Sequence, residues 1–285
     1  MTEMKLSYFT NDENFPLFIQ YGYHNEDLFI HTHKDFSELV IVMNGNATHI
    51  VDDEKFYIKK GDVFVISNDT AHGYEDTDNF HICNIMYRSE NLLSSNYDIK
   101  KTAGFHALFV LEPYFTKEHY FKSRLLLGVN DFDKIRILTD SMLSEYQSKT
   151  DGWKTFLQAS FVTLIVILSR LYSFGNISEK IDIINIAKSI SYIENHYAED
   201  ISIDVLAEIS YYSPRHFTRI FKETYNTAPL NYILSLRINH ACSLLKESPL
   251  SISDIAFQCG FSDNNYFSRI FKKRTGLTPK QFRAS

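Results

Sequence analysis

The sequence has few cysteines and no apolar run long enough to span a membrane. Its three cysteines, Cys83, Cys242 and Cys259, lie far apart and lack the spacing of metal ligands. Such an odd, sparse set argues against a disulfide framework and indicates a reducing cytosol. The most apolar stretch, Phe156 to Leu168, contains polar residues and is shorter than the roughly 20 residues of a membrane helix. We therefore expect a cytoplasmic protein that has no membrane partner.

A targeting signal and an excess of basic residues are also lacking. Met1 to Phe9 has no apolar core segment of the kind that a signal peptide needs. The 285-residue chain has a net charge of -6, an unexpected sign for a DNA-binding protein. From Ile201 to the C-terminus, however, there are 11 Lys and Arg residues and 6 Asp and Glu residues, a balance of +5, so the rest carries -11. This division predicts a nucleic-acid-binding module joined to an acidic domain.

Residues of about 252–275 have the pattern of a helix-turn-helix. The first helix is predicted to follow an N-cap at Ser253, and Gly260 suits the tight turn after it. Ser262 or Asp263 then caps a second helix.

The second helix of this unit has one apolar and one polar face. Phe267, Ile270 and Phe271 recur at helical spacing and predict the buried face. Amide and guanidinium groups hydrogen-bond base edges in pairs, and lysines neutralise phosphates. The side chains predicted to bind DNA are Asn264, Asn265, Ser268, Arg269, Lys272 and Lys273.

An internal repeat predicts a second unit of the same kind. The segment that begins at Leu206 repeats the one that begins at Ile255, with Arg219 in the place of Arg269. The repeat places another helix-turn-helix at about 202–224. Its outward side chains, which we expect to bind DNA, are Arg215, His216, Thr218, Arg219 and Lys222.

The two units differ at the turn. Tyr211 stands where the other unit has Gly260. A turn that needs a left-handed residue would place backbone strain on Tyr211, because bulky residues rarely adopt a positive φ.

A long helix is predicted between the two units. Pro229 suits the first turn of a helix, and Leu230 to Lys246 contains no Gly or Pro. About 19 helical residues span roughly 28 Å, and successive major grooves on one face of DNA lie about 34 Å apart. A rigid connector of this length allows both units to lie in adjacent grooves of one duplex.

Residues from about 183 to 285 resemble the paired helix-turn-helix domain of the AraC family of transcription regulators. The most specific signature is the run from Gly260 to Lys273, followed by Gly-Leu-Thr-Pro at 276–279. The resemblance implies a regulator that binds double-stranded DNA as a homodimer, contacts RNA polymerase and is not an enzyme.

The N-terminal half reads as short strands broken by turn residues. Between Ile30 and Tyr87 the apolar segments are separated by turn-forming clusters, among them those at 44–46 and 77–79. Short strands at this spacing predict an antiparallel sandwich or barrel. The family resemblance also implies a barrel before the DNA-binding domain.

Four residues of this half resemble the two cupin motifs. His31, His33 and Glu38, followed by His72, stand at the positions that bind a divalent metal in metal cupins. Imidazole and carboxylate groups at these spacings suit such a metal. We expect a polar ligand pocket without a metal or other cofactor. The alternatives are a metal on these four residues or a purely structural role.

The expected ligand is a small sugar held inside the barrel. A sugar pocket needs fixed hydrogen-bond partners and an aromatic ring. The segments at 72–79 and 84–88 resemble the corresponding part of the rhamnose-responsive members of the family. The predicted ligand-binding side chains are His31, His33, Glu38, His72, Tyr74, Asn84 and Tyr87.

Two helices are expected between the barrel and the DNA-binding domain, at Asn130–Gln147 and Trp153–Tyr172. The second has a wide apolar face, which favours pairing of two subunits over packing on the barrel alone. The predicted fold class is α+β with two domains, a cupin-like antiparallel barrel and an all-α unit. We expect a sensing and dimerisation domain at 1–173, in which the barrel occupies about 25–90 and the helices about 130–173. A linker at 174–182 and a DNA-binding domain at 183–285 are expected to follow.

The leading hypothesis is a transcription activator controlled by a sugar-like ligand. Two alternatives remain open. One is a metal-dependent cupin enzyme fused to a DNA-binding domain, and the other is a regulator that responds to a protein or to stress.

Overall fold

The computed structural model describes residues 2–10, 12, 15–51, 54–68, 70–88, 97–117, 124–174 and 181–284. Contacts between Cα atoms divide the chain into two compact units, Met1–Ala187 and Lys188–Ser285. The described strands all lie in the first unit. Most of the predicted linker, at 175–180, lies outside the described residues.

The first unit is built on one eight-stranded sheet. The strands are β1 (Thr2–Met4), β2 (Leu17–His24), β3 (Leu28–His33), β4 (Ser37–Val51), β5 (Glu54–Lys59), β6 (Asp62–Ile66), β7 (His72–Tyr87) and β8 (Leu125–Leu126). Their order in the sheet is β1-β3-β7-β4-β6-β8, with β2 paired to β7 and β5 paired to β4. The pairing of β1 with β3 is parallel, so the sheet is not purely antiparallel as predicted.

Two long strands organise this sheet. β4 pairs with β5, β6 and β7, and β7 also pairs with β2 and β3. Apolar side chains from four strands meet in one buried cluster, which includes Val40, Ile58, Phe64 and Phe80. The sheet therefore curls around a common core, as expected of a barrel.

The predicted turns at 44–46 and 77–79 are bulges inside β4 and β7. The register between these strands shifts at several points between Val42 and Thr48. Gly45 has a φ of 71°, and an added Cβ there would lie 2.1 Å from the Asn79 carbonyl oxygen. Asn79 itself has a φ of 45°. Bulges absorb the extra residues and bend the strands, so residues that favour turns remain within the sheet.

The predicted helices of the first unit are present. Its described helical elements are 3₁₀ turns at Leu6–Tyr8 and Asp98–Lys101, α1 (Ala103–His106), a π-helical turn (Ala107–Leu111), α2 (Glu112–Lys117), α3 (Val129–Ser148) and α4 (Trp153–Phe174). In α4, Leu157, Phe161 and Leu164 are fully buried. The apolar segment is longer than the sequence analysis predicted, because the helix extends beyond Phe156–Leu168 on both sides, and Trp153–Ser173 has the length and composition of a membrane span. A helix with so extensive a buried face is equally typical of a protein core, so this one segment is weak support for a membrane span.

The second unit contains the predicted pair of helix-turn-helix motifs. The helices are α5 (Ile181–His196, which crosses the unit boundary), α6 (Ile203–Ser210), α7 (Pro214–Tyr225), α8 (Pro229–Glu247), α9 (Ile252–Gln258), α10 (Asn264–Thr275) and α11 (Pro279–Ala284). α6 and α7 form one motif, which we call the first head, and α9 and α10 form the other, the second head. The 19-residue helix α8 joins the two heads.

The caps of the second head differ in one place from the prediction. Ser251, not Ser253, caps α9, because its hydroxyl accepts a hydrogen bond from the Asp254 N–H at 3.1 Å. Because Ser251 lies two residues before the predicted cap, α9 begins at Ile252. Of the two candidate caps of α10, Asp263 is the one that accepts from the backbone of the first turn.

The predicted strain at the turn of the first head is confirmed. Tyr211 ends α6 with a φ of 58°, and Gly260 has a φ of 83° in the second head. Both turns therefore need a left-handed residue, which glycine supplies without steric cost and tyrosine does not.

Candidate functional site

The second head presents a polar helix face on a tightly packed base. Phe267 and Phe271 are fully buried and pack with Ile255 and Phe261 in one core cluster. This packing fixes the orientation of α10 and leaves the other face in solvent. The predicted DNA-binding residues there are exposed or half-buried: Asn264, Asn265, Ser268, Arg269, Lys272 and Lys273.

Two of these side chains are oriented by neighbours. The Arg269 guanidinium lies over the Tyr266 ring, 5.5 Å from its centre. The Asn264 amide donates to the Ser253 hydroxyl at 2.8 Å. The contact with the ring face limits the motion of the Arg269 side chain but accepts no hydrogen bond from the N–H groups in the plane of the guanidinium. These N–H groups remain available to a base edge.

The first head has the same architecture with different surface contacts. Phe217 and Phe221 are fully buried, as their equivalents in the second head are. The Thr218 hydroxyl donates to the Pro214 carbonyl at 2.7 Å, and Arg219 pairs with Glu223 at 3.0 Å. The five predicted DNA-binding residues, Arg215, His216, Thr218, Arg219 and Lys222, all lie on α7, outside its buried face.

Arg237 connects α8 to the second head, a role that the sequence reading missed. Its guanidinium donates to the carbonyls of Tyr197 (2.6 Å), Glu199 (2.7 Å) and Gly260 (2.7 Å). A planar group with five donors can serve three carbonyls at once. The only sequence signal was an arginine in the middle of a largely apolar helix.

In the first unit, the four cupin-like residues come together. His33 Nε2 lies 3.1 Å from His72 Nε2, and Glu38 Oε2 lies 3.6 and 3.7 Å from these two atoms. The His31 ring centre is 4.4 Å from that of His72. His33, Glu38 and His72 are buried, whereas His31 is half-buried.

Burial keeps this cluster electrically neutral near pH 7. It raises the pKa of Glu38 to about 8 and lowers that of His33 to about 3. The pKa of His72 is also held well below its usual value by burial and by the neighbouring histidines. The apolar surroundings disfavour the charged form of each group.

Two further predicted ligand residues share the interior with the cluster. Tyr74 is buried in the barrel core, and Asn84 is paired with Val40 on the same sheet face as Glu38. Among the described residues, the Tyr74 hydroxyl and the Asn84 Oδ1 are buried without a hydrogen-bond partner. Buried polar atoms of this kind are usually satisfied by water or a ligand.

The assignment of Tyr87 to this pocket was wrong. Tyr87 pairs with Ser37, one residue away from Glu38, so it lies on the opposite face of the sheet. Its ring packs against Phe161 of α4, with the centres 5.0 Å apart. Strand alternation places it between the sheet and the helices.

His49 belongs with the interior residues and was missed. It is fully buried, stacks on Phe64 and Tyr74, and its ring centre is 5.7 Å from that of His72. Even-numbered residues of β4 such as Glu38 face inward before the bulge, and odd-numbered residues such as His49 do so after it. Simple alternation along β4 therefore predicts that His49 faces outward, and the bulge reverses this orientation.

The donor set also fits a divalent metal. One nitrogen from each of His31, His33 and His72 lies within 4.8 Å of the others. Ligands at about 2.1 Å from a common ion are at most about 4.2 Å apart, so small side-chain movements would complete the site. Glu38 would add a carboxylate oxygen.

Comparison with known proteins agrees with both units. The family model for an AraC-like ligand binding domain matches residues 14–126, and the one for a helix-turn-helix domain matches residues 206–285. The activator RhaS of Enterobacter sp. (strain 638) is 27% identical over 251 residues, which cover 88% of this chain and 86% of that protein.

Two solved structures are similar over the DNA-binding region. The DNA-binding domain of AdpA in complex with a target DNA is 29% identical and covers 35% of this chain and 90% of that one, with a TM-score of 0.34. A transcriptional regulator from Chromobacterium violaceum is 34% identical. The match covers 35% of this chain and 89% of that one, with a TM-score of 0.34.

A barrel-like unit with buried polar groups, followed by paired helix-turn-helix motifs, defines a DNA-binding regulator with its own sensor. The two family models together match more than half of the chain. The protein belongs to the AraC family of transcription regulators.

Proposed function

We propose that the protein is a cytoplasmic transcription activator whose barrel binds a small sugar-like effector. The observation that carries the proposal is the pair of heads on one 19-residue helix, together with a sensor unit that contains unpartnered polar atoms. The relative named as the activator RhaS supports the activating role. The resemblance of the segments at 72–79 and 84–88 to the rhamnose-responsive members of the family supports the class of ligand.

The two heads would bind adjacent major grooves of one duplex. The side chains on α10 and α7 named above would read bases through arginine and amide groups, while Lys222, Lys272 and Lys273 would neutralise phosphates. Footprinting on a promoter fragment tests this arrangement. Protection of two segments about one helical turn apart is expected, and protection of a single half-turn would contradict it.

Arg269→Ala should weaken specific binding by about 1–3 kcal/mol and relax the preference at one base position. The reason is that a guanidinium held over Tyr266 can pair with both acceptors of a guanine. Binding to a set of single-base operator variants measures the effect. A uniform loss across all sequences would show that Arg269 contacts phosphate instead.

The effector would bind among His31, His33, Glu38, His72, Tyr74 and Asn84. Binding would control transcription by favouring one arrangement of the DNA-binding units over another, which requires different affinities for the two states. A thermal-shift screen with common monosaccharides tests the class of ligand. A specific sugar should stabilise by about 2.7 kcal/mol at a hundredfold excess over its dissociation constant.

We further propose a homodimer that contacts RNA polymerase, with 1–173 as the sensing and dimerisation domain, 174–182 as linker and 183–285 as DNA-binding domain. Phe156 of α4 and Ile137 of α3 are exposed apolar side chains that a second subunit would cover. Sedimentation as a function of concentration tests the dimer, and Phe156→Lys should shift it toward monomer.

A metal-binding sensor is the second candidate, favoured by the convergence of three histidines and Glu38. Equilibrium dialysis against zinc, manganese and iron should then leave about one ion per chain. The His72→Ala variant should lose the bound ion. His49→Gln is the control and should retain the ion, because His49 is buried nearby but is not one of the three candidate ligands. Absence of any bound ion in the wild type would exclude this candidate and the metal-dependent enzyme together.

A further inference from the structure

The two recognition helices differ in charge at one equivalent position. Arg219 corresponds to Arg269 in the internal repeat, and the residue four positions later is Glu223 in α7 but Lys273 in α10. α7 carries three basic residues and one acidic residue, a balance of +2, whereas α10 carries four basic residues and no acidic one, or +4. DNA phosphates should therefore attract the first head less strongly.

The equivalent arginines are also held in different ways. Arg219 donates to the Glu223 carboxylate at 3.0 Å, one helical turn further along α7. Arg269 rests over the Tyr266 ring. A carboxylate occupies N–H donors that would otherwise reach DNA, and an aromatic face does not.

We propose that Glu223 makes the first head the weaker reader of DNA by holding Arg219 back from the duplex. The proposal rests on the DNA-binding function proposed above for both helices. Glu223 is a positioning residue, since it acts through Arg219. Both side chains are about half exposed, and exposed pairs of this kind are weak. The pair therefore tunes the affinity of the first head and does not block it.

The test requires a DNA that the protein itself selects. The full chain is used to enrich duplexes from a random pool, and both half-sites are mapped by footprinting. Failure to enrich any duplex would count against the DNA-binding function and would be recognised before Glu223 is examined.

On the selected duplex, Glu223→Gln should bind about three- to tenfold more tightly than the wild type, and its binding should depend more steeply on salt, by up to about one ion. Weaker binding by Glu223→Gln would overturn the proposal. It would indicate that the carboxylate itself accepts a hydrogen bond from a cytosine amino group.

A double-mutant cycle separates positioning from simple charge. If Glu223 acts through Arg219, the gain from Glu223→Gln should largely disappear when Arg219→Ala is already present. An undiminished gain would show that Glu223 is only a general negative charge, and the proposal would be rejected.

The second head offers a matched control. Lys273→Glu places a carboxylate one turn beyond Arg269, as in the first head, while Lys273→Gln only removes the lysine charge. Lys273→Glu should weaken binding at least about tenfold more than Lys273→Gln, with unchanged helicity by circular dichroism. Equal binding by the two variants would contradict the proposed action of the carboxylate.

Discussion

Gly260→Ala is expected to destabilise the C-terminal unit by about 3 kcal/mol or more and to weaken DNA binding over tenfold. Gly260 has a φ of 83°, and a Cβ there would lie 2.4 Å from the Ala198 carbonyl oxygen. Backbone atoms cannot move aside as flexible side chains do. The turn must therefore shift, and with it α10 and the carbonyl that Arg237 binds.

Gly276→Ala is the matched control for this variant. Gly276 ends α10 with a φ of 80°, but no heavy atom lies within 4 Å of its added Cβ among the described residues. This variant should therefore lose only the conformational advantage of glycine, about 1 kcal/mol, and keep its affinity for DNA.

The two units can be followed separately in urea. The single tryptophan, Trp153, lies in the first unit, so its fluorescence reports that unit, while far-ultraviolet circular dichroism reports the helices of both. Gly260→Ala should move the circular dichroism transition and leave the fluorescence transition unchanged. Equal effects of the two glycine variants would show that the contact with Ala198 has no energetic weight.

The sequence was most informative where the chain repeats itself. Arg219 and Arg269, Phe217 and Phe267 have equivalent places because the same apolar spacing builds both heads. Tyr211 could even be singled out as strained, since the repeat showed which residue takes the place of Gly260. A local pattern is sufficient here because helix periodicity and turn chemistry depend on neighbouring residues.

The sequence was less informative where distant strands or helices meet. Arg237 receives its role from three carbonyls, two of them about 40 residues away, and no local pattern encodes such contacts. In the barrel, the bulge in β4 brings His49 inside, and simple alternation puts Tyr87 on the helix side. The face that a strand residue occupies depends on register and bulges, which sequence spacing alone does not fix.

The pH dependence of stability should reveal the buried carboxyl group in the barrel, in the presence of a chelator. Burial raises the pKa of Glu38 to about 8 in the folded state from a usual value near 4.5. A raised pKa contributes stability that is fully present below pH 4.5 and is lost as the pH rises through about 8. The buried histidines act in the opposite sense, because their lowered pKa values cost stability as the pH falls below about 6.5.

Glu38→Gln isolates the carboxyl contribution, because glutamine keeps the shape and does not titrate. The unfolding free energy of the wild type relative to this variant should fall by about 1.4 kcal/mol per pH unit between pH 5 and 7, and by about 1 kcal/mol more between pH 7 and 8. Trp153 fluorescence in urea at each pH gives the two values. The contributions of ionisable groups that do not contact Glu38 cancel in the difference. A flat difference would mean that the folded cluster binds no more protons than the unfolded chain in this range, and it would contradict the raised pKa of Glu38.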